Sequence, residues 1–166
     1  MGMARSNPRG RGERRRTPAP NPTGQVKHKL RFAIGSDFAT SCRIQKQIMD
    51  EVIRQGFTGP SIFAVRLALE EALANAIKHG NRLDRGKKVR VEAEVTPRQI
   101  RIVIEDEGGG FERSSVPDPT TRANLEKTGG RGILLIETYM DKVRWSRGGR
   151  RLEMIRRNAD GPPLRG

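Results

Sequence analysis

Cysteine is almost missing from this 166-residue chain, where Cys42 stands alone. One thiol closes no internal disulfide and builds no thiolate metal site, which suits a reducing cytoplasm. Aromatic residues are scarce too: one Trp, one Tyr and five Phe. Single-stranded nucleic acid is gripped by stacked rings, and no ring-rich strand surface is legible here. No apolar run approaches the length of a membrane-crossing helix. The arginines near the start are followed by no apolar stretch of the kind a secretion signal needs. Acidic side chains are in deficit, 19 against 33 Lys and Arg, and the imbalance is partly local. Residues 1–29 carry eight Lys or Arg and one Glu, which is half of the net +14.

The first 25 residues are rich in Arg, Pro, Gly, Asn and Thr and nearly free of large apolar groups. Such a segment cannot bury enough surface to offset its ordering entropy. Residues 1–27 therefore read as a disordered basic extension. It is either a solubilising tail or an arm that touches nucleic acid or an acidic partner. Residues 28–157 read as one domain, and 158–166 as a frayed tail.

Periodicity sets out the domain. Residues 28–34 put Leu30, Phe32 and Ile34 on one side, a strand. Ser36 or Asp37 can cap a helix to about Gln55, with Ile44, Ile48 and Val52 at helical spacing. Gly56 and Gly59–Pro60 break it, Ser61 caps a second helix to about His79, and Gly80 takes its C-cap. Residues 87–95 and 99–105 alternate as an antiparallel hairpin around Pro97–Arg98. Residues 111–129 show no period, and a loop this long inside a domain is functional or mobile. A third helix is predicted from near Gly130 to about Met140, then strands near 142–147 and 150–156 around Gly148–Gly149. The order β-α-α-β-β-loop-α-β-β predicts a two-layer α/β sandwich, not a doubly wound parallel sheet.

The second helix carries the first chemical signal. Ile62, Val65, Leu69, Ala72, Leu73 and Ala76 project onto a core face. Glu71 and Asn75 lie one turn apart on the opposite side, with Ala64 and Ala68, and small residues there would let a ligand approach. Asn is a poor helix former and needs a reason to sit mid-helix. A neutral oxygen ligand for a hard cation such as Mg²⁺ is one. The second signal is Asp106-Glu107-Gly108-Gly109-Gly110, directly after a strand. A carboxylate there can accept a hydrogen bond from an exocyclic amino group such as that of adenine. Gly108 and Gly110 permit positive φ and close approach of the backbone to a flat ring. The third is Gly129-Gly130-Arg131-Gly132 before Ile133-Leu134-Leu135-Ile136, a glycine-rich lead into a helix that offers free N–H groups to phosphate. There is no Walker-type glycine-lysine run and no Rossmann glycine pattern after a first strand.

In this order and on these elements, the three signals resemble the GHKL superfamily of ATPases and kinases, with its Bergerat-type fold. Within it the chain looks most similar to bacterial anti-sigma factor serine/threonine kinases. The N box reads Glu70-Glu71-Ala72-Leu73-Ala74-Asn75-Ala76-Ile77-Lys78-His79-Gly80-Asn81, the first glycine box Asp106-x-Gly108-x-Gly110, and the second Gly130-Arg131-Gly132. The resemblance spans about residues 28–157. It implies a mixed, mostly antiparallel sheet covered on one face by helices, with ATP and Mg²⁺ as cofactors. Asn75 would hold Mg²⁺, Asp106 would read the adenine amino group, and Gly108 and Gly110 would shape the adenine pocket. Gly130, Arg131 and Gly132 would contact phosphates, residues 111–129 would form a lid, and Lys78 and His79 could touch the nucleotide. Glu71 would be the catalytic carboxylate for a hydroxyl attacking the γ-phosphoryl group.

The type of relative follows from length. A histidine kinase needs a helical segment bearing a phosphoacceptor His, and His28 falls at a strand start. Topoisomerase and chaperone subunits need further domains. Proteins of the anti-sigma kinase type bind a sigma factor and phosphorylate a Ser or Thr on a small antagonist protein, and the resemblance leaves room for a homodimer. The alternative is a non-catalytic, nucleotide-gated interaction module of the same fold. One departure is Arg150-Arg151-Leu152-Glu153-Met154, which lacks the small hydroxyl residue often seen near there in relatives.

Overall fold

The computed structural model describes residues 27–110 and 131–159. The basic extension up to residue 26, the segment 111–129 expected as a lid, Gly130 of the second glycine box and the tail from 160 onward lie outside the described residues. β1 (His28–Gly35) leads through Ser36 and Asp37 into α1 (Phe38–Arg54). The Asp37 carboxylate accepts from Thr40 N at 3.0 Å, a side-chain cap that fixes where the helix begins. α2 (Gly59–Ala74) runs directly into a π-helical segment, Asn75–Gly80. β2 (Lys88–Val95) and β3 (Gln99–Asp106) form the expected hairpin, closed by Thr96 N donating to Gln99 O at 3.0 Å. α3 (Arg131–Tyr139), β4 (Lys142–Ser146) and β5 (Arg151–Arg157) complete the order.

The five strands lie in the order β1-β2-β3-β5-β4, and every ladder is antiparallel. β3 and β4 point the same way, but β5 lies between them, so the crossover through α3 makes no parallel ladder. The mixed sheet that the resemblance implied is thus antiparallel in each of its pairings. One face is apolar by strict alternation: Val89, Val91, Ala93, Val95, Ile100 and Ile102 are fully buried. Against it pack Ile48 and Val52 of α1, Val65 and Leu69 of α2, Ile77 of the π segment and Ile136 of α3. Each such side chain contributes about 1.5–3 kcal/mol through removal from water. The other face carries paired charges, among them Glu94 with Lys27 and Lys29, Glu105 with Arg147 and Arg151, and Arg101 with Glu153.

Four local expectations change. Helix α2 starts at Gly59 after the cap residue Thr58, because Pro60 sits in the first turn, where a missing N–H costs nothing. Ser61 is therefore inside the helix and buried, not its cap. Gly80 ends the π segment rather than capping an α-helix, with Asn81 N donating to Ala76 O at 2.8 Å, a five-residue step. Ala64 and Ala68 are buried, not beside an open ligand face. α3 packs against α2, with Gly132 beside Glu71 and Asn75 and Tyr139 against Phe63. Asn158, which the sequence reading puts at the head of the tail, is buried, and its side chain binds Thr58 N, Gly56 O and Pro97 O.

Candidate functional site

The α2–π–α3 unit positions one half of the site. The two helices run antiparallel: the Phe63 and Tyr139 rings meet edge to face at 5.6 Å at one end. At the other, the first turn of α3 comes down onto Glu71 and Asn75. A β-carbon on Gly132 would stand 2.5 Å from Glu71 Oε2 and 3.5 Å from Asn75 Nδ2. Only glycine lets the start of α3 sit this close without displacing the carboxylate. Glu71 and Asn75 are half-buried, and Asn75 Nδ2 is buried without a hydrogen-bond partner. An amide buried with an unmade bond costs about 1–3 kcal/mol unless something completes it. Its fork carries a carbonyl oxygen as well as the nitrogen, so it suits both a hard cation and a phosphate oxygen.

The end of β3 supplies the other half. Asp106 is buried, its N–H donates to Arg150 O at 3.0 Å, and its Oδ1 accepts from Gly108 N at 2.8 Å. Burial pushes its carboxyl above the ordinary range, against the opposing pull of the Gly108 hydrogen bond and the Arg150 charge. Its Oδ2 remains available to a donor. Gly80 lies flat against this carboxylate, since a β-carbon there would stand 2.6 Å from Oδ2. Gly108 needs its bareness for contact rather than for φ: a β-carbon would overlap the Gly80 carbonyl. Gly110 does take positive φ, +76°, and its α-carbon faces the Gly148 carbonyl of the β4–β5 turn.

The sequence-predicted residues thus gather in two clusters. Glu71, Asn75 and Gly132 meet where α2 ends and α3 begins. Asp106, Gly108 and Gly80 meet where the π segment ends and β3 ends. The π segment joins them. Lys78 and His79 lie exposed on it, and neither is bonded to Glu71 or Asp106. Arg131 is the exposed first residue of α3. Among the described residues no group of three or more His, Cys, Asp or Glu side chains is placed to hold a metal. A cation here would rest on amide and ligand oxygens. Sequence reasoning gave no role to Asn81, although it quoted it. Asn81 is fully buried and binds Ser36, Lys88 and Glu107. Its one legible signal is an amide placed directly after the glycine that ends an apolar helix.

Residues 38–156 match the model of the histidine kinase-like ATPase domain. The chain belongs to that family. It is 37% identical over 82 residues to an anti-sigma F factor of Clostridium perfringens, covering 48% of this chain and 58% of that protein. It is 29% identical over 97 residues to the serine-protein kinase RsbW of Bacillus subtilis, covering 55% of this chain and 61% of that one. The chain thus spans about three-fifths of the length of these curated relatives. Its fold matches the crystal structure of the RsbU and RsbW domains of Rv1364c from Mycobacterium tuberculosis, with a TM-score of 0.54 at 14% identity, over 79% of this chain and 31% of that one. No helix among the described residues is long and apolar enough to cross a membrane.

Proposed function

We propose that this member of the family binds ATP with Mg²⁺ and transfers the γ-phosphoryl group to a Ser or Thr of a small antagonist protein, while a sigma factor is its other partner. The observation that carries the reading is the meeting of Glu71, Asn75 and Gly132 around an amide whose buried nitrogen lacks a partner. The relatives' names, anti-sigma F factor and serine-protein kinase, support the partner class.

Each residue has a task in this reading. Asp106 accepts from the adenine amino group through its second carboxylate oxygen, and the close packing of Gly80 and Gly108 holds that carboxylate in place. Asn75 holds Mg²⁺ through its amide oxygen. When bound, Mg²⁺ neutralises charge on the phosphates. The N–H groups of Arg131 and Gly132 at the start of α3 bind the phosphates, and Arg131 adds charge. Glu71 orients the attacking hydroxyl and takes its proton, close to the phosphoryl end because Gly132 brings α3 against it. Lys78 and His79 stay at the exposed margin of the site.

The test is transfer from labelled ATP to candidate antagonist proteins in the presence of Mg²⁺. Glu71→Ala is expected to lower the rate about 100-fold while leaving ATP affinity close to wild type. Equal rates in the two proteins would remove Glu71 from the chemistry. ATP binding without transfer to any antagonist would make the chain a nucleotide-gated interaction module.

A further inference from the structure

The two clusters of the site are joined by a second device beside the π segment, a closed ring of hydrogen bonds around Asn81. Asn81 Oδ1 accepts from Glu107 N at 2.9 Å, and its Nδ2 donates to Lys88 O at 3.0 Å. Lys88 N in turn donates to Glu107 Oε2 at 2.9 Å. The ring links the end of the π segment, the start of β2 and the end of β3, and each of the three residues both gives and receives. A fourth bond, Asn81 Nδ2 to Ser36 Oγ at 2.9 Å, ties it to the β1–α1 junction. Asn81 is fully buried, so the bonds its own amide makes are shielded from water, while the Lys88 N to Glu107 bond lies at the exposed corner of the ring.

The ring has an unusual position. Glu107 is the residue between Asp106 and Gly108, and Asn81 follows Gly80 directly. The Gly80 backbone touches both Asp106 and Gly108, so the carboxylate is held on one side by a bare backbone with no side chain to brace it. The brace comes from the next residue in each segment. At the far end of the same π segment, six residues back, stands Asn75.

We infer that Asn81 is a positioning residue for purine recognition, fixing the Asp106 carboxylate relative to Asn75 and so the distance from base to phosphates, without touching the nucleotide itself. This rests on the reading of Asp106 as the base-reading carboxylate. A residue that merely stabilises the fold would, when lost, weaken every nucleotide alike. A residue that positions Asp106 weakens the ligand whose base Asp106 reads, and spares one whose base offers no amino group there.

The experiment is calorimetry of the full chain with Mg·ATP and Mg·GTP, on wild type, Asn81→Ala and Glu107→Ala. The second variant breaks the ring at an exposed corner, so it tests the idea even where Asn81→Ala folds poorly. Loss of one or two such bonds is expected to weaken ATP about tenfold in each variant and to leave GTP within about twofold, so that the preference for ATP collapses. Equal weakening of both nucleotides, or unchanged ATP affinity in a folded Glu107→Ala protein, would overturn the inference. A wild type with no preference for ATP over GTP would instead overturn the role of Asp106, and the two failures are distinguishable.

Discussion

Two carboxylates at this site live in different surroundings, and the difference has a consequence for stability. Glu71 is half-buried beside a glycine and an amide, and Asp106 is buried at the end of a strand. Burial raises the Asp106 carboxyl above its ordinary value, against the bond from Gly108 N and the charge of Arg150. A folded-state pKa above the unfolded value of about 4 means that the native state binds the proton more tightly. Stability from this group is therefore greatest below that value and is lost as pH rises through the raised one. At neutral pH the ionised form is a cost to the fold that Gly108 N and Arg150 offset only in part, and a ligand donor would offset it further. Asp106→Asn is expected to raise the melting temperature in the absence of nucleotide and to weaken ATP binding at least tenfold. Thermal unfolding and calorimetry on one preparation check both signs. A variant that melts lower and binds as before would refute this account of Asp106.

Among the elements, the strands were the easiest to read. Val89, Val91, Ala93 and Val95 alternate with Arg90, Glu92 and Glu94, so period two leaves one solution, and the structure has it. The helices were legible in number and order but not in surroundings. A projection of α2 onto a wheel shows one apolar face, whereas α3 also packs on this helix and Ala64 and Ala68 are buried, and small residues give a weak apolar signal there. The π segment was not legible at all, because a single wider turn changes no residue type. It follows that Glu71, Asn75, Asp106 and Gly108 stand out in the sequence as candidates, but the contact of Gly80 with Gly108 does not. That contact makes a sharp test. Gly108→Ala puts a methyl group into the Gly80 carbonyl, where backbone must shift, and is expected to cost about 1–3 kcal/mol of stability and most of the nucleotide affinity. Gly109→Ala, one residue on, meets nothing within 4 Å and should be near neutral in both. Equal melting of the two variants in denaturant would show that Gly108 is not packed as described.

At the scale of the molecule, the outer face of the sheet sets the response to acid. Its carboxylates are spent on cations from neighbouring strands. Burial pushes Glu94 up, but the hydrogen bonds and charges of Lys27 and Lys29 outweigh it, and its carboxyl ends below the ordinary range. For Glu105 the same contest is won by Arg151 and Arg147. Glu107 is lowered by the bond from Lys88 N and by Arg90, and Asp37 by Thr40 at the cap of α1. A depressed folded pKa contributes stability that is present above the unfolded value, about 4, and is lost as pH falls through the folded one. Asp106 runs the other way, but it is one group against four. The chain should therefore melt progressively lower from about pH 5 down to pH 3. Each exposed pair contributes little because water and salt screen it, so the slope comes from the set and not from one bridge. As the chain's 19 Asp and Glu protonate, its net charge rises above the +14 it carries at neutral pH. What remains is repulsion among Lys and Arg, which salt screens over about 8–10 Å. Added salt is thus expected to raise the melting temperature more at pH 3.5 than at pH 7, where it screens attractive pairs as well. Circular dichroism melts at two pH values and two salt concentrations decide it: an equal salt effect at both would mean that repulsion among the cations is not what destabilises the chain in acid.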